Sequence, residues 1–248
     1  MKKKAFYLTV AAMVAAIGTT NAQLTIRAGA LFPQGKYADA MADFNNNVLR
    51  WGVIDKSNKG GAGLGASVGG SYRFDMGITD FGIVLAADVM FNSLNTDIYD
   101  YFDEMVEANE NTYKEFSVST PVYFNIPVTA GLNYQKGVST DIDLYGEAGI
   151  GLNFRKLTTA IIYSNTGSSD QEETTTFETS TSFAFRFGAG MVFKKKYVLS
   201  LDYYLCGSSR LASETVTEVN GRQSGSPESE KHGNINPSIL ALRLGIIL

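Results

Sequence analysis

The chain of 248 residues contains a single cysteine, Cys206, and a single histidine, His232. One cysteine cannot form an intramolecular disulfide, so a disulfide framework is excluded. The histidine lies in a glycine- and lysine-flanked stretch without a surrounding motif, and the sequence has no GxSxG, HExxH, P-loop or CxxC pattern. We therefore predict that the protein is not an enzyme and that it uses no cofactor and no metal.

Beyond its N-terminus the sequence also lacks any run of about twenty apolar residues, the length that a transmembrane helix needs. The N-terminus itself has a basic MKKK, a short apolar segment and the small residues TTNA, which together are typical of a secretory signal peptide. We predict a signal peptide over residues 1–22, cleaved between Ala22 and Gln23, and one mature domain over residues 23–248. No cysteine follows the signal to carry a lipid, so a mature membrane protein would have to be a barrel.

Positive charge is scarce in the predicted mature chain. Of the 21 Lys and Arg residues three belong to the signal, which leaves 18 against 25 Asp and Glu and a net charge of −7. This acidic balance argues against nucleic acid as a partner.

Period-2 alternation of apolar and polar residues is abundant and marks eight segments. These are residues 24–32, 62–76, 81–92, 116–135, 142–156, 182–194, 197–206 and 237–248. The connections after the second, fourth and sixth segments are short, and the other four run to about twenty residues or more, an alternation typical of outer-membrane barrels. We predict an all-β fold, an eight-stranded antiparallel up-and-down transmembrane β-barrel. Pro121 and Pro127 lie within the fourth segment, where we expect a bulge or a break in pairing.

Every second residue of these segments is mostly apolar, and this set of residues (one parity) predicts a surface that faces lipid. Its aromatic residues gather at the segment ends, as in the interfacial bands of membrane barrels. A soluble β-sandwich would also collect phenylalanines in its core, but it would not explain the alternation of loop lengths. The predicted bands are Tyr72, Phe74, Phe81, Tyr134, Phe193 and Tyr197 near the short turns, and Phe32, Phe91, Phe116, Phe154 and Phe183 near the long loops.

The residues between them (the other parity) are mostly glycine and charged residues, and this set predicts the side of the strands that faces the lumen. Neighbouring strands would set Glu147 near Arg186 and Asp202 near Arg243. An eight-stranded lumen is about wide enough for its own side chains to fill, which favours a plugged barrel over an ion path. The predicted lumen charge network is Arg27, Arg73, Asp88, Asp143, Glu147, Arg186, Asp202 and Arg243.

The long connections are where activity would be displayed. In the second of them Ile98, Phe102 and Met105 have helical spacing, which predicts a short amphipathic helix. The carboxylates around them lack the spacing of a calcium loop. The connection over residues 156–181 predicts an exposed hairpin, and the last connection, with its NGR and GSPESEKHGN stretches, predicts a mobile loop.

The whole predicted mature chain resembles the small outer-membrane β-barrel proteins of Gram-negative bacteria, of the OmpX or OmpA-barrel type and the PorT-like barrels. The resemblance rests on the MKKK…NAQ signal, the loop alternation, YFNIPV at residues 123–128 and the terminal ILALRLGIIL. It implies an outer-membrane location, contact with outer-membrane lipid and lipopolysaccharide, and insertion by the barrel-assembly machinery.

Two roles stay open, of which the PorT-like resemblance implies the second. The first is a non-catalytic barrel whose four long loops serve envelope integrity or bind a surface partner. The second is an accessory barrel of a secretion or assembly machine, with a protein partner at the turns or the rim. A lipid-modifying enzyme is a distant third.

Overall fold

The computed structural model describes residues 22–39 and 60–248. Besides a 3-10 helix at Gly35–Tyr37, these described residues contain one α-helix, α1, at Thr96–Asn109. The strands are β1 (Ala22–Pro33), β2 (Ala62–Asp75), β3 (Phe81–Leu94), β4 (Glu115–Ser119), β5 (Tyr123–Gly137), β6 (Ile142–Leu157), β7 (Ala160–Asn165), β8 (Asp170–Phe177), β9 (Ser180–Phe193), β10 (Tyr197–Cys206), β11 (Ser209–Val219), β12 (Arg222–Gln223), β13 (Glu228–Ile235) and β14 (Ser238–Ile247).

Eight of these strands close into one antiparallel barrel in the order β1-β14-β10-β9-β6-β5-β3-β2. Each barrel strand therefore pairs with the barrel strands before and after it in the chain, and the pairing of β1 with β14, from Thr25↔Ile247 to Pro33↔Ile239, closes the ring. Closure leaves no barrel strand with an unpaired edge. The predicted eight-stranded up-and-down barrel is confirmed.

The fourth predicted segment is not one strand but two. β4 ends at Ser119 and β5 begins at Tyr123, with Pro121 in the break between them. Pro127 stays within β5, but the β3–β5 ladder runs only to Ala87↔Val128 and resumes at Met90↔Asn125. Since proline has no backbone N–H to donate, both prolines interrupt pairing, as the sequence predicts.

The remaining strands form a second sheet at the long-loop end of the barrel. Its order is β12-β11-β8-β7-β4, and β13 pairs with β11. The predicted hairpin is confirmed as β7 and β8, although both are separate from the barrel strands that flank them. The prediction of a mobile last loop is wrong, because β11 pairs with β8 from Ser213↔Phe177 to Val219↔Gln171 and so extends the sheet. Most of the first long connection, residues 40–59, lies outside the described residues.

Helix α1 confirms the predicted amphipathic helix. Asn95 caps its N-terminus by accepting a hydrogen bond from the backbone N–H of Asp97, which satisfies one of the free donors of the first turn. Ile98 is fully buried and Phe102 is 6% exposed. In the described part of the chain, no helix has the length and apolar character needed to cross a membrane.

An apolar core fills the long-loop end of the barrel. It joins residues from the barrel wall, from α1 and from the second sheet into one cluster of buried side chains. Leu31 and Leu94 contribute from the wall, Ile98 from the helix, and Ile162 and Phe177 from the sheet. The second sheet and the helix are therefore packed on the barrel mouth as a cap.

Candidate functional site

The outer surface of the barrel is predominantly apolar. On β9, Phe183, Phe185 and Phe187 are 65%, 43% and 49% exposed, whereas the alternate residues Ala184 and Arg186 are buried. Exposed apolar patches of this extent are rare on soluble proteins. Their continuation around a closed ring of strands of ten to sixteen residues is the arrangement of a lipid-facing barrel surface.

Aromatic rings mark both ends of this surface. Near the short turns Phe81 packs on Tyr134, with their ring centroids 5.0 Å apart. Near the long loops Phe91 packs on Phe124, with centroids 4.3 Å apart. The prediction is wrong for one residue of the aromatic bands, because Phe116 belongs to β4 and packs against the apolar core under the cap.

Asp202 of β10 is the centre of the lumen charge network. Its carboxylate lies 2.9 Å from Arg186 Nη2 and 2.6 Å from Arg243 Nη2. Arg186 Nη2 also lies 2.5 Å from Glu147 Oε2. Both pairs predicted from the strand order, Glu147 with Arg186 and Asp202 with Arg243, are present in the structure.

Further contacts cross the full width of the barrel. Tyr204 of β10 donates a 2.7 Å hydrogen bond to Asp88 Oδ2 on β3, and Arg243 Nη1 binds the other oxygen of Asp88. Arg27 of β1 lies 3.8 Å from Glu147 of β6. In the ring of eight strands β10 is opposite β3 and β1 is opposite β6, so side chains span the lumen in two directions. Three arginines and three carboxylates balance in charge, which burial requires.

Glycine on the lumen parity makes room for these long side chains. A Cβ atom at Gly188 would lie 2.5 Å from Asp202 Oδ1. Any larger residue at position 188 would displace the carboxylate that holds both Arg186 and Arg243.

Two of the eight predicted network residues do not contact the other six. Arg73 donates from Nε to Asn133 at 2.7 Å and pairs with Asp75 at 2.5 Å. Asp143 is half-buried and accepts a 3.0 Å hydrogen bond from Gln135. Both lie near the short-turn ends of their strands, and Arg73 is joined to the central charges through Asn133, which donates a 3.1 Å hydrogen bond to Glu147 Oε1.

Two residues of the lumen were missed by the sequence reasoning, although their strand parity would have identified them. Tyr204 has the parity of Asp202, and Arg155 has the parity of Glu147. Arg155 is fully buried and donates to Ser209 O at 2.7 Å and to Ile235 O at 2.9 Å. It thereby links the barrel wall to β11 and β13 of the cap.

A neutral polar layer separates the charges from the apolar core. Asn153 donates to Asn125 Oδ1 at 3.0 Å, and Asn125 in turn donates to the hydroxyl of Tyr37 at 3.0 Å. Tyr123 donates a 2.6 Å hydrogen bond to the carbonyl of Gly60. Burial raises the pKa of the Tyr37 hydroxyl above its ordinary value, and the neighbouring Tyr123 adds to the shift. Tyr37 therefore stays neutral at any physiological pH.

The carboxylates around α1, Asp97, Asp100, Asp103 and Glu104, do not converge. Among the described residues no group of three or more His, Cys, Asp or Glu side chains could hold a metal ion.

Comparisons with known proteins give likenesses of fold. No protein-family model and no curated protein matches the chain. The structure is similar to the outer membrane protein OprG from Pseudomonas aeruginosa, at 12% identity and a TM-score of 0.48 over 94% of this chain and 98% of that one. It is also similar to a major outer membrane protein from Thermus thermophilus, at 14% identity and a TM-score of 0.47 over 91% and 98%. For Ail, the attachment invasion locus protein of Yersinia pestis, the identity is 13% and the TM-score 0.37 over 92% and 97%.

The assignment to the outer membrane depends on the features of the barrel itself. It is closed, its outer positions are predominantly apolar, aromatic rings lie at both ends, and the charges at the middle of its strands are inside. In a bilayer only such closure leaves no unsatisfied sheet edge, and antiparallel barrels with these surfaces lie in outer membranes. The protein is an eight-stranded β-barrel of the outer-membrane type.

Proposed function

We propose that the protein is a non-catalytic outer-membrane barrel that closes its own lumen and presents an ordered acidic cap at the cell surface. The cap would bind a partner there or contribute to the integrity of the envelope. The observation that carries the proposal is the second sheet, which stands on the barrel mouth at the long-loop end and is tied to the wall by Arg155. Long loops of outer-membrane barrels face outward.

The charge of the cap indicates the kind of partner. Residues 95–119, 158–179 and 207–237, which build the cap, contain fifteen Asp and Glu against four Lys and Arg. β4 lies at one edge of this sheet, and β12 and β13 lie at the other, beside β11; edge strands are where a partner chain can pair with a sheet. A partner with a basic surface is therefore favoured, and its binding should weaken as salt concentration rises.

The role of an accessory to a secretion or assembly machine has less support. It requires a docking surface at the short turns or the rim, and the turns at residues 76–80, 138–141 and 194–196 are only three to five residues long. The non-catalytic part of the proposal is supported by the buried charges, which engage each other inside the barrel instead of collecting at an accessible rim.

Labelling of single cysteines tests the orientation. Ser168→Cys and Ser224→Cys, at exposed tips of the cap, are expected to react with a membrane-impermeant maleimide on intact cells, whereas Ser139→Cys, on a short turn, reacts only after permeabilisation. Cys206 is buried and gives a low background in the parent protein. Labelling of Ser139→Cys on intact cells would reverse the topology.

The same three variants test the function. A photoactivated cross-linker attached at position 168 or 224 is expected to capture a basic partner or a surface component in live cells, and capture should fall in high salt. Reproducible capture from position 139 alone would instead support the secretion-machine role.

Ion conductance tests the closed lumen. Because Tyr204, Asp88 and Arg243 bridge opposite walls, the pure monomer in a planar bilayer should conduct far less than a porin. The double variant Asp88→Ala with Arg243→Ala should raise the conductance if this layer is the barrier. A large and stable porin-like conductance of the parent protein would contradict the closed lumen.

A further inference from the structure

The turn between β9 and β10 differs in charge from the other two short turns of the barrel. It consists of Lys194, Lys195 and Lys196, three consecutive residues that are all exposed, and is called the lysine turn below. The turns at residues 76–80 and 138–141 contain no Lys or Arg and one Asp each. Among the three short turns, positive charge is therefore confined to this one.

The backbone of the lysine turn is held on both sides in a conformation that does not suit lysine. Lys194 and Lys195 have φ angles of 50° and 54°, in the left-handed region where a turn prefers Asn and Gly. The N–H of Lys194 donates to Asp141 O at 2.7 Å, and Lys196 O accepts a 2.8 Å hydrogen bond from the N–H of Ile247. If only the shape of the turn mattered, Asn-Gly would serve better, so the lysines indicate a role for their charge.

The ammonium groups at the two ends of the lysine turn lie beside aromatic rings of the membrane surface. Lys194 Nζ lies 5.3 Å from the ring centroid of Phe193, and Lys196 Nζ lies 6.0 Å from that of Tyr197. Both rings face outward and are 40% and 52% exposed. Because aromatic bands of membrane proteins lie at the level of the lipid headgroups, these ammonium groups lie at the depth of the lipid phosphates.

The protein itself leaves the charge of the lysine turn uncompensated. Within residues 22–39 and 60–248, the ion pairs involve arginines, and none includes Lys194, Lys195 or Lys196. Three residues are also far fewer than the roughly twenty that each side contributes to a stable protein interface. Ammonium groups bind phosphate as point charges, and a single lipid headgroup matches the size of the turn.

We propose that the lysine turn binds the headgroup of an anionic phospholipid, of the phosphatidylglycerol type, in the periplasmic leaflet of the membrane. Basic residues near a bilayer attract anionic lipids by their charge, whereas a zwitterionic headgroup has no net charge to offer. The acyl chains of the bound lipid would lie on the apolar outer surface of β9 and β10, below Phe193 and Tyr197. This inference does not depend on what the cap binds.

Native mass spectrometry of the refolded protein in detergent tests the proposal. The protein is offered phosphatidylglycerol and phosphatidylcholine with the same acyl chains, and the ratio of the two bound lipids is its lipid preference. The parent protein should prefer phosphatidylglycerol, and the preference should shrink as the salt concentration rises. Replacing the three lysines by glutamine should lower the preference about fivefold for each lysine, the effect of one basic residue near an anionic surface.

Further variants separate charge from the structure of the turn. Replacing all three lysines by arginine keeps the charge and should keep the preference. Lys194→Asn with Lys195→Gly removes two charges but supplies the residues that the φ angles favour, so it should fold well and still lose preference. As a matched control, Lys114→Gln with Arg210→Gln and Arg222→Gln removes three exposed positive charges from the cap, and it should leave the preference unchanged.

Three results would overturn the proposal. The first is equal binding of the two lipids by the parent protein, which would point to an acidic protein or polymer as the partner of the lysine turn. The second is a full preference in the folded glutamine or Asn-Gly variant, which would place the lipid elsewhere on the barrel. The third is an equal loss of preference in the cap control, which would mean that net charge alone attracts the lipid.

Discussion

Replacing Arg243 by methionine is expected to destabilise the folded barrel by about 3–5 kcal/mol, the usual cost of removing one partner from a buried ion pair. Methionine retains much of the length of the arginine side chain but none of its charge. The substitution strips Asp202 of one of two arginines and leaves Asp88 with only the hydroxyl of Tyr204. Denaturant titration of the protein in lipid vesicles measures the loss.

A matched control separates burial from charge. Arg222→Met makes the same substitution at an exposed residue of the cap, where the expected change lies within about 0.5 kcal/mol. If Arg243→Met were as mild as this control, Arg243 would not be buried in a charge network.

Second substitutions test how the network is connected. Adding Asp88→Asn to Arg243→Met restores the balance of charge and still offers Tyr204 an acceptor, so we expect substantial recovery of stability. Adding Asp202→Leu also removes a carboxylate, but it takes from Arg186 a partner at 2.9 Å. Asp202→Leu should therefore restore less stability than Asp88→Asn. Equal recovery with both second substitutions would show that Asp202 does not bridge both arginines.

Strand parity and strand order are sufficient to predict the barrel and its short-range ion pairs. β2 begins and β10 both begins and ends at the predicted residues, because long alternating segments bounded by turns are a strong signal. Glu147 with Arg186 and Asp202 with Arg243 follow from the same pattern, since each pair lies on neighbouring strands.

Two features could not be predicted in this way: the contacts across the lumen, and the sheet that joins the long connections into the cap. Asp88 meets Tyr204 and Arg243 only because closure of the ring brings opposite strands within side-chain reach, and no local pattern contains that distance. In the cap the hairpin of β7 and β8 is predicted, but β8 and β11 are rich in Thr and Glu and lack the apolar alternation of a barrel strand, so their joining into one sheet is not. Their pairing depends instead on neighbours that are distant in sequence, as in β8 with β11.

Replacing Leu242 by arginine is expected to cost about 2–4 kcal/mol in lipid vesicles, because it places a charge on the lipid face near the middle of the bilayer. Leu242 lies at the centre of β14, where it pairs with Ala30 and Leu201, and it is 47% exposed. No lumen carboxylate lies on its side of the sheet, so no substitution inside the barrel should rescue this variant.

Leu248→Arg tests whether the cost of an arginine on the lipid face depends on its depth in the bilayer. Leu248 has the parity of Leu242 and is more exposed, at 67%, but it follows the last residue of β14. Near the bilayer interface the same substitution should cost only about 0–1 kcal/mol. On a soluble protein both exposed leucines would tolerate arginine to within about 0.5 kcal/mol. A large cost at position 242 with a small cost at position 248 is therefore expected only if the barrel surface lies in lipid. Equal tolerance of arginine at both positions would contradict a lipid-facing surface.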